Sequence, residues 1–273
     1  MKLTVLVENT PGGKPLDIRH GLSLYLETGA RRVLFDAGPD DAFLRNAHAL
    51  GVDIASVDTF VLSHGHYDHG GGLPAFLQAN QKAKVYARPG AFDPHWNRAV
   101  DPPRMNGLDA ALADCGRVVP CGDGYSLGDG LTLLSDVPQN PFPPSANATL
   151  CTGEPGALAA DPFTHEQSLL VQEGGRAMLV AGCAHRGIVP IIQAATARLG
   201  RAPDAVVGGF HLYNPTLRRT EPEALVTQVA QALAGRGCRY YTCHCTGEQA
   251  YGTLRRTLLG QISYLHTGDC LTL

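Results

Sequence analysis

The chain has 273 residues, of which 44% are hydrophobic and 17% are charged, and its formal net charge is −3 at pH 7. This composition is typical of a globular protein with one large core, and the charge gives no support to a nucleic-acid-binding protein, which would carry a strongly basic surface. No apolar run approaches the ~18 residues of a membrane span, and the first apolar segment is too short for a signal peptide, so a cytoplasmic location is predicted.

The first three predicted strands form a β-meander. Alternating or apolar segments at 3–8, 21–28 and 33–35 are separated by turns rich in glycine and proline. The third strand ends at Asp36, for which two interpretations remain open. Its carboxylate either caps the helix that follows, or it orients a histidine that binds a metal.

A dense histidine cluster follows the fourth predicted strand. The strand covers 57–62, and His64, His66, Asp68 and His69 come directly after it. Residues two apart on extended backbone point to the same side, so His64 and His66 share a face, while Asp68 and His69 lie on a curling loop. Imidazole and carboxylate groups together suit a divalent metal such as zinc, iron or manganese. The cluster therefore predicts ligands for one or two adjacent metal ions.

Helices are predicted on both sides of this cluster in the sequence. Residues 41–50 and 73–79 have helical apolar patterns, and the strand 84–87 follows the second helix. A strand–helix–strand unit implies that its two strands are parallel. The other two histidines of this part of the chain, His20 and His48, are interpreted as surface or capping residues.

The segment 88–147 is the least regular part of the chain, with prolines at nine positions between Pro89 and Pro144. It is predicted to fold over the site as loops and short strands, with one short helix near 107–113 and a hairpin near 125–133. His95, Trp96 and Phe142 either line a substrate pocket or pack in the interior, and the sequence does not choose between these roles.

In the second half of the chain, apolar strands repeatedly end in histidine. Helical segments at 188–199 and 223–234 separate the first three strands, so these strands are predicted to be parallel and to share one edge of a sheet. Side chains at that edge are expected to converge. The histidines at the strand ends are His185, His211, His244 and His266.

The eight cysteines are predicted to be free thiols, because the chain is long and no secretion signal is recognised. Cys183 precedes His185 by two positions, and Cys243 and Cys245 flank His244. These three cysteines are interpreted either as metal ligands or as small buried strand residues.

These motifs resemble a known family. The pattern His-x-His-x-Asp-His at 64–69, with the upstream Asp-x-Gly element at 36–38, resembles the metallo-β-lactamase superfamily. The segments 182–185, 208–212 and 243–247 are similar to its 7,8-dihydropterin-6-methyl-4-(β-D-ribofuranosyl)aminobenzene-5′-phosphate synthase-like branch. The resemblance implies an α/β fold, an αββα sandwich of two mixed sheets. It is expected to comprise one domain over 1–273, with 88–147 as an insertion that covers the site.

The resemblance also implies a site. One or two divalent metal ions are expected, with zinc favoured and manganese or iron as alternatives, on six ligands: His64, His66, Asp68, His69, His185 and His244. Asp68 is also expected to orient the nucleophile, and His211 to act as a general acid or substrate-orienting group, with metal ligand as its alternative. The sequence departs from many relatives at Cys183, where they have a bridging aspartate, and it offers His165 or Glu166 near an expected additional histidine.

Three functions follow from this site. The first is a metal-dependent hydrolase that uses metal-generated hydroxide on a small ester, lactone or phosphoester. The second is a synthase that condenses a pterin with an arylamine riboside phosphate, and the third is a non-catalytic metal-binding or redox-sensing protein. A small molecule is the expected partner, with no nucleic acid and no membrane, and the oligomeric state is left open.

Overall fold

The computed structural model describes residues 1–273 and contains two large β-sheets, two smaller ones and six α-helices. The helices are α1 (Ala42–Ala49), α2 (Tyr67–Gly70), α3 (Leu73–Ala79), α4 (Ile188–Leu199), α5 (Glu223–Leu233) and α6 (Glu248–Leu258). The strands of the first half are β1 (Lys2–Val7), β2 (Ser23–Glu27), β3 (Arg32–Phe35), β4 (Thr59–Val61), β5 (Lys84–Ala87), β6 (His95–Asn97), β7 (Arg104–Met105), β8 (Val118–Pro120), β9 (Ser126–Gly128) and β10 (Leu131–Leu134). Those of the second half are β11 (Leu150–Thr152), β12 (Ala159–Ala160), β13 (Ser168–Glu173), β14 (Arg176–Val180), β15 (Ala205–Gly208), β16 (Tyr213–Asn214), β17 (Arg219–Thr220), β18 (Arg239–Thr242), β19 (Ile262–Tyr264) and β20 (Cys270–Thr272).

Both large sheets have seven strands and mix parallel with antiparallel pairs. The first has the order β20-β1-β2-β3-β4-β5-β8 and the second has the order β19-β18-β15-β14-β13-β10-β9. The meander β1-β2-β3 is antiparallel, and the pairs β3-β4 and β4-β5 are parallel. In the second sheet β14, β15, β18 and β19 are parallel neighbours. The meander and the parallel units predicted from the sequence are both present.

Three apolar clusters divide the molecule into four layers. Successive side chains of one strand point to opposite faces of the sheet and so belong to different clusters. In β14, Leu179 packs against the helices, while Met178 and Val180 pack between the sheets. The cluster between the sheets joins residues such as Phe35 of the first sheet to Val207 of the second. The other two clusters pack the outer sheet faces against α4–α6 and against α1 and α3. The layers are helix, sheet, sheet and helix, which confirms the predicted αββα sandwich.

The segment 88–147 contributes to a small sheet with the order β12-β11-β6-β7. The helix expected near 107–113 is instead a 3₁₀ helix at Ala110–Asp114, because Asp109 caps the backbone of a single turn that buries no side chain. The hairpin expected near 125–133 is present as β9 and β10. That the whole chain forms one domain stays a prediction.

Two further expectations concern cysteines and the membrane. All eight cysteines are free, as predicted. None of the helices combines the length and the apolar composition that a bilayer crossing requires.

Candidate metal centre

The carboxyl ends of β4, β14, β15 and β18 meet at one edge of the two sheets, and the predicted histidines lie there. His64 and His185, which are 121 positions apart in the sequence, have their Nε2 atoms 3.3 Å from each other. His69 and His244 are 175 positions apart, with their Nε2 atoms 3.2 Å from each other. The predicted convergence of strand-end histidines is therefore present in the fold.

Hydrogen bonds fix the orientation of the first histidine pair. Ser63 Oγ donates to Asp36 Oδ2 at 2.6 Å, so it accepts from His64 Nδ1 at 2.8 Å. His185 Nδ1 donates to Asn147 Oδ1 at 3.0 Å, while the amide nitrogen of Asn147 donates to the His185 carbonyl at 2.8 Å. Both rings hold their proton on Nδ1 and turn an unprotonated Nε2 toward each other.

The second pair is oriented in the same way. His69 Nδ1 donates to the buried Asp36 carboxylate at 2.7 Å. His244 Nδ1 donates to Asn9 Oδ1 at 2.9 Å, and the same oxygen accepts from the Gly21 amide at 3.1 Å. Each ring thus has an outer partner of the kind that holds metal-binding histidines in one tautomer.

The facing Nε2 atoms fit a metal ion. Two unprotonated nitrogens at this distance repel each other unless a cation lies between them. Two imidazole ligands of a tetrahedral zinc, at 2.0–2.1 Å from the metal, are separated by about 3.3 Å. The observed separations of 3.3 and 3.2 Å match this geometry in both pairs.

Charges around the rings agree with a cationic site. Burial, with the neighbouring imidazoles, lowers the pKa of His64 and of His185 well below the usual histidine value, so both rings are neutral at pH 7. Burial alone would also lower the pKa of His69, but the carboxylates of Asp36 and Asp68 raise it. The two carboxylates therefore favour a positive charge beside His69.

Asp68 lies beside the second pair. Its Oδ2 is 3.4 Å from His244 Nε2, 3.8 Å from His69 Nε2 and 3.4 Å from His20 Nε2. Burial would raise the pKa of Asp68, but the charge of His69 and the contacts with the His20 and His244 rings hold it well below its usual range. The interpretation of His20 as a surface or capping residue is wrong, because its ring also packs against His244 with centroids 5.0 Å apart.

Cys183 lies between the two histidine pairs. Its Sγ is 3.1 Å from His69 Nε2. It forms one possible ligand group with His64 and His185, and a second with His69 and His244. Its side chain thus occupies the position between two possible metal ions.

His66 and His211 have nitrogens without partners. The buried Nε2 of His66 has no hydrogen-bond partner, and its ring centroid lies 4.7 Å from that of His64 and 4.9 Å from that of His185. Both ring nitrogens of the buried His211 are unpartnered, and its ring centroid is 4.1 Å from that of His185. His66 thus lies beside the first pair, and both ring nitrogens of His211 are left without a partner.

His165 and Glu166 support the site from outside. His165 Nδ1 accepts from the Gly65 amide at 3.0 Å, inside the signature segment. The buried carboxylate of Glu166 accepts from the amides of His185 and Arg186 at 2.7 and 2.9 Å. Both residues hold the backbone of segments that carry the paired histidines, and neither belongs to a histidine pair.

His266 belongs to a hydrogen-bonded chain below His244. Its Nδ1 donates to Thr10 Oγ1 at 2.6 Å, and Thr10 donates to Glu8 Oε2 at 2.5 Å. The other oxygen of the buried Glu8 accepts from the His244 amide at 2.7 Å. His266 thus acts on the backbone of His244 and does not reach the centre.

A second buried cluster lies next to His66. Asp161 Oδ2 accepts from His95 Nδ1 at 3.0 Å and from His165 Nε2 at 3.1 Å. The other ring nitrogen, His95 Nε2, lies 3.0 Å from the Gly90 carbonyl oxygen, so both nitrogens of the ring have a hydrogen-bond partner. His95 therefore pairs with a buried carboxylate, and this pairing decides between the two roles left open for it.

Replacing Asp161 with asparagine is expected to lower the free energy of unfolding by about 3–5 kcal/mol, because it removes the buried carboxylate that pairs with two buried imidazole rings. Urea unfolding of the metal-free protein measures the change. The matched control is Asp129→Asn, which removes a half-exposed ion pair with Arg31 and is expected to cost about 0–1 kcal/mol. Equal effects of the two substitutions would contradict the assignment.

The backbone is constrained where it presents these side chains. Asp36, Ala184, His211 and His244 all have left-handed φ angles, between 50° and 59°. This conformation is unfavourable for residues other than glycine and is often found at functional sites. The strand-to-loop turns are thus shaped to aim side chains at the centre.

The centre opens into a cleft of about 560 Å³, including space open to solvent. Among the residues that line the cleft, Arg104 is the single one of the types arginine and lysine. Its guanidinium lies 5.9 Å from the centre of the Tyr67 ring. The other lining residues combine histidines, amides and small apolar groups: His66, Asp68, Asn97, Asn106, Ala146, Thr149, Leu150, Cys183, His185, His211, Asn214, Pro215, Thr216, His244 and Cys245. Neither Trp96 nor Phe142 lines it, whereas other residues of the segment 88–147 supply one wall.

Comparisons with known proteins identify relatives over the full length. Residues 16–185 match the family model described as the metallo-beta-lactamase superfamily. The chain is 28% identical to a Methanocaldococcus jannaschii protein named 7,8-dihydropterin-6-methyl-4-(beta-D-ribofuranosyl)-aminobenzene-5'-phosphate synthase, over 99% of this chain and 96% of that protein.

Solved structures are similar as well. Tm1679, described as a metal-dependent hydrolase of the beta-lactamase superfamily, superimposes with a TM-score of 0.84 at 27% identity, over 100% of this chain and 99% of its own. Zinc-bound PqqB from Methylobacterium extorquens has a TM-score of 0.58 at 15% identity, over 100% of both chains, and supports the fold alone.

Proposed function

This chain belongs to the metallo-β-lactamase superfamily, and from that membership we propose that it is an enzyme that uses two divalent metal ions, with zinc favoured, held in the cleft. His64, His66 and His185 would hold one ion, and Asp68, His69 and His244 the other. The observation that carries this proposal is the pair of facing Nε2 contacts at 3.3 and 3.2 Å. When bound, the metals supply Lewis acidity that polarises a substrate oxygen and stabilises a departing oxyanion.

We propose that the reaction joins a dihydropterin to an arylamine riboside phosphate. The full-length similarity to the M. jannaschii synthase supports this reaction over the hydrolase hypothesis. In the chemical step, the arylamine nitrogen forms a bond to the methylene carbon on the pterin. The bond from that carbon to a pyrophosphate oxygen breaks, and the amine loses one proton.

Residues of the cleft are suited to this reaction, which requires a proton acceptor and groups that bind a phosphate and a heterocycle. His211 has two unpartnered buried nitrogens and can accept the proton that the arylamine loses. Arg104 offers a guanidinium fork to the phosphate of the riboside. Asn97, Asn106 and Asn214 supply donors and acceptors for the rim of a flat heterocycle.

Hydrolysis is the second candidate, and the similarity to Tm1679 favours it. In that reaction water would replace the arylamine, and His211 would protonate the leaving group, as predicted from the sequence. The third hypothesis, a non-catalytic metal-binding or redox sensor, has the least support, because a cleft reaches the centre and structural metal sites are usually closed.

One assay separates these functions. Zinc-loaded protein is incubated with a dihydropterin methyl pyrophosphate, with and without an arylamine riboside phosphate, and mass spectrometry follows the joined product while released pyrophosphate is measured. A synthase is expected to give joined product and pyrophosphate in equal amounts, and only with both substrates. Pyrophosphate release without the arylamine would indicate hydrolysis, and no release in either sample would contradict both enzymatic proposals for this substrate.

A further inference from the structure

The position between the two histidine pairs is occupied by sulfur rather than by a carboxylate. Cys183 is the residue shared by the group with His64 and His185 and by the group with His69 and His244, and its side chain is buried. We propose that Cys183 bridges the two metal ions through its thiolate. This inference rests on the proposed metal centre and adds the identity of its bridging ligand.

Asp68 does not occupy this shared position. Its Oδ2 lies 3.4 Å from His244 Nε2 and 3.8 Å from His69 Nε2, and it forms a possible ligand group with His20 and His244. It forms none with His64 and His185. Asp68 therefore belongs to one side of the centre, and Cys183 belongs to both sides.

The backbone brings Cys183 close to the signature segment. A Cβ added to the preceding Gly182 would clash with Ser63 Oγ, so only glycine permits the two strand ends to approach this closely. The following residue, Ala184, has a left-handed φ of 58°. These two features turn the thiol toward the facing nitrogens, of which His69 Nε2 is 3.1 Å from Sγ.

The second nearby thiol is placed differently. Cys245 Sγ donates to the Cys183 carbonyl at 3.4 Å and accepts from the His211 amide at 3.3 Å. It forms a possible ligand group with Cys183 and His211, but none with either histidine pair. Cys245 is thus a matched control, a buried thiol near the centre that is not between the metals.

A thiolate bridge has consequences for metal choice. Thiolate is a soft ligand that favours zinc, cobalt or iron(II), whereas manganese and magnesium prefer oxygen ligands. The bound metal displaces the thiol proton, so the bridge is a thiolate only when the centre is loaded. A sulfur bridge therefore gives the centre a spectroscopic signature that a carboxylate bridge lacks.

Cobalt(II) substitution tests the bridge. The wild-type protein is expected to bind two equivalents of cobalt and to show a sulfur-to-cobalt charge-transfer band in the near ultraviolet. Cys183→Asp is expected to keep two cobalt ions and lose the band, and Cys183→Ala to bind the second ion at least ~10-fold more weakly. Cys245→Ser is expected to keep both the band and the stoichiometry.

The outcomes separate this inference from the proposal beneath it. Two bound cobalt ions without a charge-transfer band in the wild type would overturn the thiolate bridge and leave the metal centre standing. A band that survives in Cys183→Asp, or that disappears in Cys245→Ser, would also overturn the bridge. No bound cobalt in the wild type would overturn the metal centre itself.

Discussion

Replacing His185 with alanine is expected to remove one equivalent of metal from the purified protein and to lower kcat/KM by about a thousandfold or more. The expected size follows from the loss of Lewis acidity, since about 4 kcal/mol of transition-state stabilisation corresponds to three powers of ten in rate. His185 is buried, and its Nε2 faces that of His64 at 3.3 Å. The substitution would leave His64 as half of a pair.

Metal content by elemental analysis and turnover in the condensation assay measure the effect. His48→Ala is the control, because His48 is exposed on α1 and contacts no part of the centre. It is expected to keep both metal content and rate, and a chelator is expected to reproduce the defect of His185→Ala in the wild type. Full metal content in His185→Ala would remove His185 from the ligand set.

The convergence of these histidines could be predicted from the sequence because it follows from topology. Parallel strands place their carboxyl ends at one sheet edge, and His64, His185 and His244 each follow such a strand. Strand positions could be predicted for a different reason. Along a strand, period-2 alternation separates the residues that face the central cluster from those that face an outer cluster. The sequence pattern therefore identifies the sheet edge formed by the carboxyl ends of the strands, and the residues that lie there.

The hydrogen-bond partners of these histidines could not be predicted. Asn9 and Asn147 fix the tautomers of His244 and His185, which are 235 and 38 positions away in the sequence. Asn9 lies in a loop and Asn147 in the short 3₁₀ helix Ser145–Thr149. An asparagine in such a segment has many possible partners, and only the folded chain selects one. His20 was misinterpreted for the same reason, because its contact with Asp68 depends on how an irregular segment packs against the signature turn.

The segment 88–147 shows a different limit of prediction from sequence. Its prolines predicted irregular structure, and that prediction holds around β6 and β7. The role of His95 followed from its pairing with Asp161, 66 positions away, which no local pattern indicates. Sequence periodicity therefore predicts layers and strand ends, whereas buried polar pairs between irregular segments require the structure.

Asp36 is the residue through which the fold and the centre are most directly joined. It is fully buried, and its carboxylate accepts from the Ser63 amide at 2.7 Å, from Ser63 Oγ at 2.6 Å and from His69 Nδ1 at 2.7 Å. It orients a histidine, as one of the two interpretations of the sequence proposed, and it does not cap α1, whose cap position is Asp41. Ser63 in turn accepts from His64, so Asp36 acts on both histidine pairs.

Asp36→Ala is expected to lower the free energy of unfolding of the metal-free protein by about 3–5 kcal/mol, because three buried donors lose their acceptor and each unsatisfied group costs about 1–3 kcal/mol. Asp36→Asn is the sharper variant. Asparagine tolerates the left-handed φ of 59° at this position and can still accept from the Ser63 amide. Its second atom is an amide nitrogen that cannot accept from His69.

Asp36→Asn is therefore expected to fold and to bind zinc about 10–100-fold more weakly, which is the usual effect of losing a partner of a ligand histidine. Competitive titration with a zinc chelator measures the affinity, and urea unfolding with chelator present measures the stability separately. Asp53→Asn, at the exposed start of a 3₁₀ turn, is expected to leave zinc affinity unchanged. Wild-type zinc affinity in Asp36→Asn would contradict the role of Asp36 in orienting His69, because the carboxylate charge would then have no effect on the centre.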